Sequence, residues 1–587
     1  MTTDNWHKIL STTLFFIACF VFWAFVHPEA LSFQEQQQLF LFSADYLINS
    51  LSQMGGLADY IAEFIIQFYY YPVAGALLLA LCFVLLQITT WLLIRALKPQ
   101  NSYYPLSFVP AIMLWAYMGD ENVMLSFLVA IIISICVTLF LLKIFKYQIV
   151  AISLLFPILY WLVGPAMVIC VLVCAFYDRK KVALFALIYV VLIVFVARHF
   201  ILTQHTLTDV LCGINYYRLR QIVPLMQHII IFTVTLVAYI PLILPQISKQ
   251  GIVVGSYILV AIVGGVWISC NFDDAKYSII KYDYLVRREK WNDIIALSKQ
   301  NPIADPTACT AVNLALGMTG QLSNRMFEFP QCGSNALIAP FERTSFTCLP
   351  SAEALLRLGM VNSALRYFFD LQEAIVNCQK SGRLMRRMAE CNIINGRYDV
   401  ARKYLSWLKQ SLFYSEWAAR TEKLLGNEKA IDNHPLWGRI RKIRYQSDFF
   451  FNMYEIDKMF GILWQENSNN KMAYEYFVAQ QLLTRNLNSF YSYSPLMLKQ
   501  GYQELPRSYQ EAMALIWSQG HSNWEGIPIS VSDNVKCDLM TFASIYQNNK
   551  QDKQLKQKFG TTYWYYCLVQ QPTTDSNTGA TKIEQSR

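Results

Sequence analysis

The chain has 587 residues, of which 55% are hydrophobic and only 15% charged, with a mean hydropathy of +0.29. That is too apolar for a wholly water-soluble protein and too polar for a pure transporter, so two environments are averaged along one polypeptide. The formal net charge of +9 suits an anionic membrane surface or ligand, but the Lys and Arg residues are dispersed and form no basic stripe, which argues against nucleic acid as a partner.

The first apolar run, residues 9–26, has about the length a bilayer-spanning helix needs. A cleaved signal peptide would end in a small-x-small site; His27-Pro28-Glu29 follows instead, so a retained anchor is expected. Further apolar runs occupy residues 73–94, 106–117, 123–142, 149–163, 166–176, 182–196, 229–244 and 252–270. Taken together they predict about nine crossings, of which 106–117 and the 149–176 pair are the shortest. Pro157, Gly164 and Pro165 are expected to kink or turn that pair, Pro241 and Pro245 to bend the eighth run, and Gly255 with Gly264-Gly265 to permit close packing of the last. With the N-terminus inside, Arg95, Lys98, Lys143, Lys146, Arg179, Lys180, Lys181 and Lys249 all fall on the cytoplasmic side, as resistance of cationic loops to translocation requires. The 198–228 loop is the exception, with Arg198, Arg218 and Arg220 on the outer side; an odd number of crossings delivers everything after Cys270 to the outside, which in a bacterium is the periplasm, and one crossing fewer turns it to the cytoplasm.

Beyond Cys270 charged, aromatic and apolar residues mix as in a soluble helical protein. Segments 277–288 and 291–299, closed by Asn301-Pro302, read as a tetratricopeptide-type helix pair, and turns are expected at Gly320, Gly359 and Gly396, spaced by roughly the 34 to 40 residues of helical repeats. The expected fold is therefore all-α: a polytopic transmembrane bundle over residues 1–270, a tetratricopeptide-like repeat domain over 271–569 and a polar disordered tail over 570–587. Seven cysteines lie in the second half without metal-ligand spacing; Cys332 and Cys348 are the nearest pair for a disulfide, with buried free thiols the alternative.

The long first outer loop, residues 27–72, is where chemistry is expected. Phe33, Leu39, Phe40, Phe42, Leu47 and Leu51 suit an amphipathic helix on the membrane surface, Leu57, Ile61, Phe64, Ile65 and Phe68 a second one, and Tyr69 to Tyr71 an interfacial aromatic belt. Glu35 stands early in this loop, and Asp120-Glu121 stand in the next outer turn. This layout resembles the GT-C superfamily of membrane glycosyltransferases, which includes protein O-mannosyltransferases and oligosaccharyltransferases and places an acidic residue early in the first outer loop and often a second in the next. The resemblance rests on layout over residues 1–270; the paired-acid motif and the His-Pro-Pro segment of mannosyltransferases are absent.

It implies Glu35 as the general base for transfer from a lipid-linked sugar, Asp120 or Glu121 orienting it or sharing a divalent metal ion, and Arg198, Arg218 or Arg220 holding the phosphate. For the acids the alternative is a solvated polar surface, and for the arginines headgroup binding. His199, His205 and Asp209 lie in the same outer loop, where a hydrogen-bonded surface pair is the expected role of His205 and Asp209. The whole chain also resembles an uncharacterised group of multi-pass membrane proteins of Bacteroidota-type bacteria with a periplasmic tetratricopeptide-like domain. Two functions follow as expectations: a membrane glycosyltransferase whose repeats recruit a periplasmic acceptor protein, or a non-catalytic anchor whose repeats scaffold an envelope complex through a protein partner.

Overall fold

The computed structural model describes residues 3–570 apart from 145–147, 177–179, 220, 221, 223, 245–249, 343–346, 376–378, 447–451, 503, 551 and 552. The described residues are helical, with one isolated antiparallel bridge between Val123 and Tyr217. They form two units. The first comprises residues 1–278 with 375–383 and 405–420, and the second comprises 279–374, 384–404 and 421–587. Most of the expected tail, 571–587, lies outside the described residues.

The first unit is a helical bundle built from α1 (Thr3–Val21), α2 (Pro28–Glu35), α3 (Ala44–Leu51), α4 (Gly56–Ile66), α5 (Pro72–Leu97), α6 (Phe108–Tyr117), α7 (Leu125–Lys143), α8 (Gln148–Val163), α9 (Val168–Phe176), α10 (Lys180–Val196), α11 (Leu207–Cys212), α12 (Leu225–Ile243) and α13 (Gln250–Asn271). Among the described residues seven segments are long and apolar enough to cross a membrane: Trp6–Val26, Pro72–Leu97, Leu125–Lys143, Gln148–Ala175, Lys181–Ile201, Leu225–Ile243 and Gln250–Asn271. The shortfall from nine falls on the two shortest regions. Helix α6 has only 10 residues, and 148–175 forms a single long apolar stretch.

Within that stretch the chain nevertheless turns back at Gly164-Pro165. The Tyr216 hydroxyl lies against both Val163 and Ala166, and its ring meets Phe127 at the start of α7; four residues on, Cys170 accepts a hydrogen bond from Thr138, in the second half of α7. So α8 and α9 run in opposite directions, and α9, with 9 residues, is a half-length pass. Such short passes are tolerated because neighbouring helices, not lipid, surround their ends: Ala111, Leu114 and Ala116 of α6 and Ile169, Cys170 and Val173 of α9 are fully buried.

The two ends of the bundle differ in charge. At one end Lys8 donates to Asn101 (2.7 Å) and Lys98 to the Pro241 carbonyl (2.6 Å), and Arg95 and Lys143 close α5 and α7 there. This is the basic end. At the other, Phe272 just after α13 stacks on His27 just after the first span, Tyr277 donates to the Gly119 carbonyl (3.1 Å), and the 118–124 turn is joined to 215–218. Glu29, Glu35, Glu63 and Glu121 gather at this acidic end.

The first outer loop departs from the expected pair of surface helices. Residues 28–40 are buried or nearly so, including Glu29, Gln34, Glu35, Gln36, Gln37 and Gln38, all at 9% exposure or less. Helix α3 does keep an exposed face with Ile48 at 63% exposure, as an interfacial helix should. In α4 Leu57, Ile61, Phe64 and Ile65 are the more open apolar residues, and Gly56, Ala58 and Ala62, with Ile66 at the helix end, are the buried ones where α4 packs on α7 and α8; small residues let the backbones approach, while the bulky face suits lipid. Gly56 also sits hard against the end of α3, since a Cβ there would lie 1.8 Å from the Ser50 carbonyl oxygen. The aromatic belt is reduced to Tyr71, because Tyr69 is buried and Tyr70 stacks on Phe413.

The second unit consists of antiparallel helices. Those discussed below are α14 (Asp274–Arg287, shared with the bundle), α15 (Trp291–Gln300), α16 (Pro306–Met318), α17 (Leu322–Arg325), α18 (Leu349–Leu358), α19 (Val361–Glu373), α20 (Gly382–Ile394) and α21 (Tyr398–Leu408). Gly320, Gly359 and Gly396 all take positive φ, at 68°, 94° and 72°. Each ends one helix where the sequence places a turn, because glycine adopts this conformation without a Cβ penalty. Cys332 lies not against Cys348 but 3.4 Å from Cys309, while the Cys348 thiol donates to the Glu342 carbonyl (3.0 Å).

A buried ionic network ties α18 to α20. Glu353 accepts from Arg357 (2.7 Å) and Arg387 (2.8 Å), Arg387 continues to Glu390 (2.6 Å), and Arg357 reaches Glu289 (2.6 Å). Burial works against the Glu390 charge, but Arg387 and Arg386 outweigh it and hold the carboxyl below its ordinary range.

Glu475, on the helix Lys471–Leu483, has weaker support: burial pushes it up to about 7, only partly offset by Lys471. The native state thus holds a proton that the unfolded chain releases near pH 4.5, and stability contributed below that pH is lost as pH rises through 7. Glu475→Gln is expected to remove this slope and to raise stability above pH 7 by up to about 3 kcal/mol, measured as thermal unfolding of the full chain in detergent between pH 5 and 8; a parallel slope in the variant would refute it.

Candidate functional site

The acidic end of the bundle is assembled by backbone pairing between two loops distant in sequence. Arg218 N–H donates to the Asn122 carbonyl (2.9 Å) and Met124 N–H to the Tyr216 carbonyl (3.0 Å), and the Ser126 hydroxyl caps the Asn215 carbonyl. Gly119 permits the last span to close in, since a Cβ there would meet the Asn271 carbonyl oxygen at 2.7 Å. These contacts bring Arg218 to the second acidic turn and fold it inside.

Arg218 is buried, and its guanidinium donates to the Gln34 side-chain carbonyl, whose amide in turn donates to the Glu121 backbone carbonyl (2.8 Å). Glu121 is paired with Lys276 (2.5 Å) and accepts from Asn122 (2.9 Å). Asp120 accepts from Tyr217 (2.7 Å) and from the Asn122 backbone (2.9 Å). Glu35, the last residue of α2, accepts from the Tyr414 hydroxyl (2.8 Å) beside a cavity of about 10 Å³, room for about one water and no more. Gln34, next to Glu35 in the chain, therefore joins Arg218 and the Glu121 backbone in one polar layer, while the Glu35 carboxylate itself turns to Tyr414.

The remaining expected residues do not join it. Arg198 donates to the Thr203 carbonyl (3.3 Å) in its own turn, and Arg220 lies outside the described residues. Asp209 closes a capping box with Thr206 instead of pairing with His205, and His199 bonds to the Phe195 carbonyl. No three His, Cys, Asp or Glu side chains among the described residues converge on a metal-sized site.

Two acids that the sequence reading passed over stand at the centre. Asp59 and Glu63 occupy successive turns of α4, one position along from its small-residue face. Burial pushes the Asp59 carboxyl up to about 7, with Arg218 pulling the other way. Burial and the Asp59 charge drive Glu63 well above the carboxylate range, against a hydrogen bond from Tyr46 and the pull of Arg218. Burial also brings Arg218 down to about 10, opposed by Asp59, Glu121 and Glu63. Gln379 donates to Glu63 (2.7 Å) and Arg383 to Gln36 (2.7 Å) from the 375–383 segment of the same unit.

Asp59 Oδ1 and Arg218 Nε are sealed from solvent without a hydrogen-bond partner among the described residues. Other buried side-chain atoms, the Tyr69 and Tyr117 hydroxyls among them, also lack a partner among the described residues, and the Asp59 and Arg218 atoms stand apart in belonging to one charge cluster. Chemically, the arrangement offers a carboxylate that exchanges a proton near neutral pH beside a guanidinium suited to phosphate. The i, i+4 acids next to Gly55-Gly56, Ala58 and Ala62 were the available signal.

No curated protein and no solved structure matches the chain. A sequence model for a family of unknown function, DUF6057, matches residues 4–570. Spanning all but the two ends of the polypeptide, bundle and C-terminal helices alike, that match makes the chain a member of the DUF6057 family.

Proposed function

We propose that this chain is a bacterial inner-membrane protein whose acidic end faces the periplasm and transfers a sugar from a lipid-linked phosphate donor, in the manner of GT-C glycosyltransferases. The gathering of Lys8, Arg95, Lys98 and Lys143 at the opposite end supports the orientation, since cationic residues are retained in the cytoplasm. The chain leaves the last span at the acidic end, so the second unit is assigned to the periplasm, where its tetratricopeptide-like hairpins would hold an acceptor protein.

The observation that carries the reading is the incomplete bonding of Asp59 Oδ1 and Arg218 Nε in one buried charge cluster. In the proposed reaction an acceptor hydroxyl attacks the anomeric carbon and gives its proton to Asp59; the bond from that carbon to the phosphate oxygen breaks, and Arg218 takes the charge of the leaving lipid phosphate. Glu121 and Gln34 position Arg218, and Glu35 and Asp120 hold the loops that frame it.

Asp59→Asn is expected to insert normally and to lower periplasmic glycan transfer by about 10²–10⁴-fold, read from glycoprotein profiles and from lipid-linked sugar accumulating in the membrane. Loss on Glu35→Gln with full activity in Asp59→Asn would return the base to Glu35. Unchanged profiles in both variants and in a deletion strain would sink the enzyme reading. A non-catalytic anchor for an envelope assembly is the second reading, favoured by the one-water cavity beside Glu35.

A further inference from the structure

Cys309 lies in the first turn of α16 and Cys332 just past the turn Met326–Glu328; both are buried, at 1% and 8% exposure. Their sulfurs are 3.4 Å apart, and the Cys309 thiol also reaches the Pro330 carbonyl at 3.2 Å. The approach is fixed on both sides. Asp305 caps α16 through the Thr307 and Ala308 N–H groups, and Gln331, next to Cys332, is bound by the Asn313 amide (2.9 Å) and donates to the Met326 carbonyl (2.7 Å). A disulfide needs its sulfurs about 2.05 Å apart, so the two thiols, already in contact, have only the rest of that gap to close.

We propose that Cys309 and Cys332 close to a disulfide in the oxidising compartment that the second unit occupies. The inference rests on the periplasmic placement made above, and it adds to that reading a covalent clamp between α16 and the loop that follows α17. The reaction is thiol–disulfide exchange. The Cys332 thiolate attacks a disulfide carried by an oxidoreductase of the thiol–disulfide exchange class, giving a mixed disulfide; Cys309 then loses its proton, attacks the Cys332 sulfur and expels the carrier as a dithiol. Two thiol protons and two electrons leave the pair, and one S–S bond forms. The order of attack follows the local chemistry: the Cys309 hydrogen bond lowers the Cys332 thiol, while that bond and burial raise Cys309 well above its usual value. Cys332 is also the more open of the two.

The test uses the full chain in two arms. In the first, cells are acid-quenched, free thiols are blocked with a maleimide, and the purified protein is digested without reductant. A cross-linked peptide joining the Cys309 and Cys332 segments, lost on reduction and absent from Cys309→Ser, is the expected result. In the second arm, protein purified under reductant is exposed to oxidised glutathione and digested in the same way. Failure to cross-link there, or linkage of Cys332 to Cys348, overturns the pairing itself. Cross-linking by glutathione with both thiols free in cells overturns closure in the cell by removing the placement, and leaves the sulfur geometry intact.

Discussion

Glu353→Ala should cost the second unit about 3–5 kcal/mol of stability, the loss typical when one partner of a buried ion pair is removed. Glu353 is fully buried and binds two guanidinium groups, those of Arg357 and Arg387, which are 1% and 8% exposed. Removing its carboxylate leaves Arg387 with Glu390 alone and leaves Arg357 to an ion pair with Glu289, whose side chain is half in water. The thermal transition of the full chain in detergent should fall by at least about 6 °C. Replacing Glu353, Arg357, Arg387 and Glu390 together with Met should restore most of it, because packed apolar side chains match or exceed a buried ion network of the same volume. An unchanged transition in Glu353→Ala would mean that the network is worth nothing.

Arg218→Leu should destabilise the acidic end of the bundle by a similar amount, about 3–5 kcal/mol, through repulsion among groups it no longer compensates. Asp59, Glu63 and Glu121 all act on this one guanidinium. The decisive measurement is a double-mutant cycle with Asp59→Asn, which removes one of the uncompensated charges. Recovery of at least about 1 kcal/mol in the double variant, read by thermal unfolding at pH 8, would establish direct coupling; strict additivity would show that the two side chains do not sense each other. Repeating the cycle at pH 5 should shrink the coupling, since Asp59, pushed up to about 7 by burial, is then protonated in the single variant as well.

Features that depend on chain-local physics were legible in the sequence. Gly320, Gly359 and Gly396 turn where they should because only glycine takes φ near +70° to +90° cheaply. Apolar length located seven membrane-sized segments, and the short runs of α6 and of α9, beyond the expected turn at Gly164-Pro165, are sustained by neighbours instead of by their own length.

The acidic end was legible only in part. Asp120, Glu121 and Arg218 stood out as charged residues in outer loops, but their meeting depends on the Val123–Tyr217 bridge between segments nearly a hundred residues apart, which no local pattern encodes. Glu35 stood in the sequence as a candidate base or a solvated surface acid, and its hydrogen bond from Tyr414 could not be foreseen because that partner comes from the far half of the chain. Asp59 and Glu63 were not legible because the strong hydrophobic signal of α4 lies on its bulky face, whereas the small face beside them is the one that lets a helix enter a bundle.

That far partner has a consequence for biosynthesis. Glu35, Gln36 and Glu63 take hydrogen bonds from Tyr414, Arg383 and Gln379, which are 379, 347 and 316 residues later in the chain. At about 5–20 residues per second these partners emerge from the ribosome roughly 20–80 s after the first loop. For that interval the newly made helices hold an acidic layer without these donors, so the bundle is a waiting intermediate until the chain has been made through Tyr414.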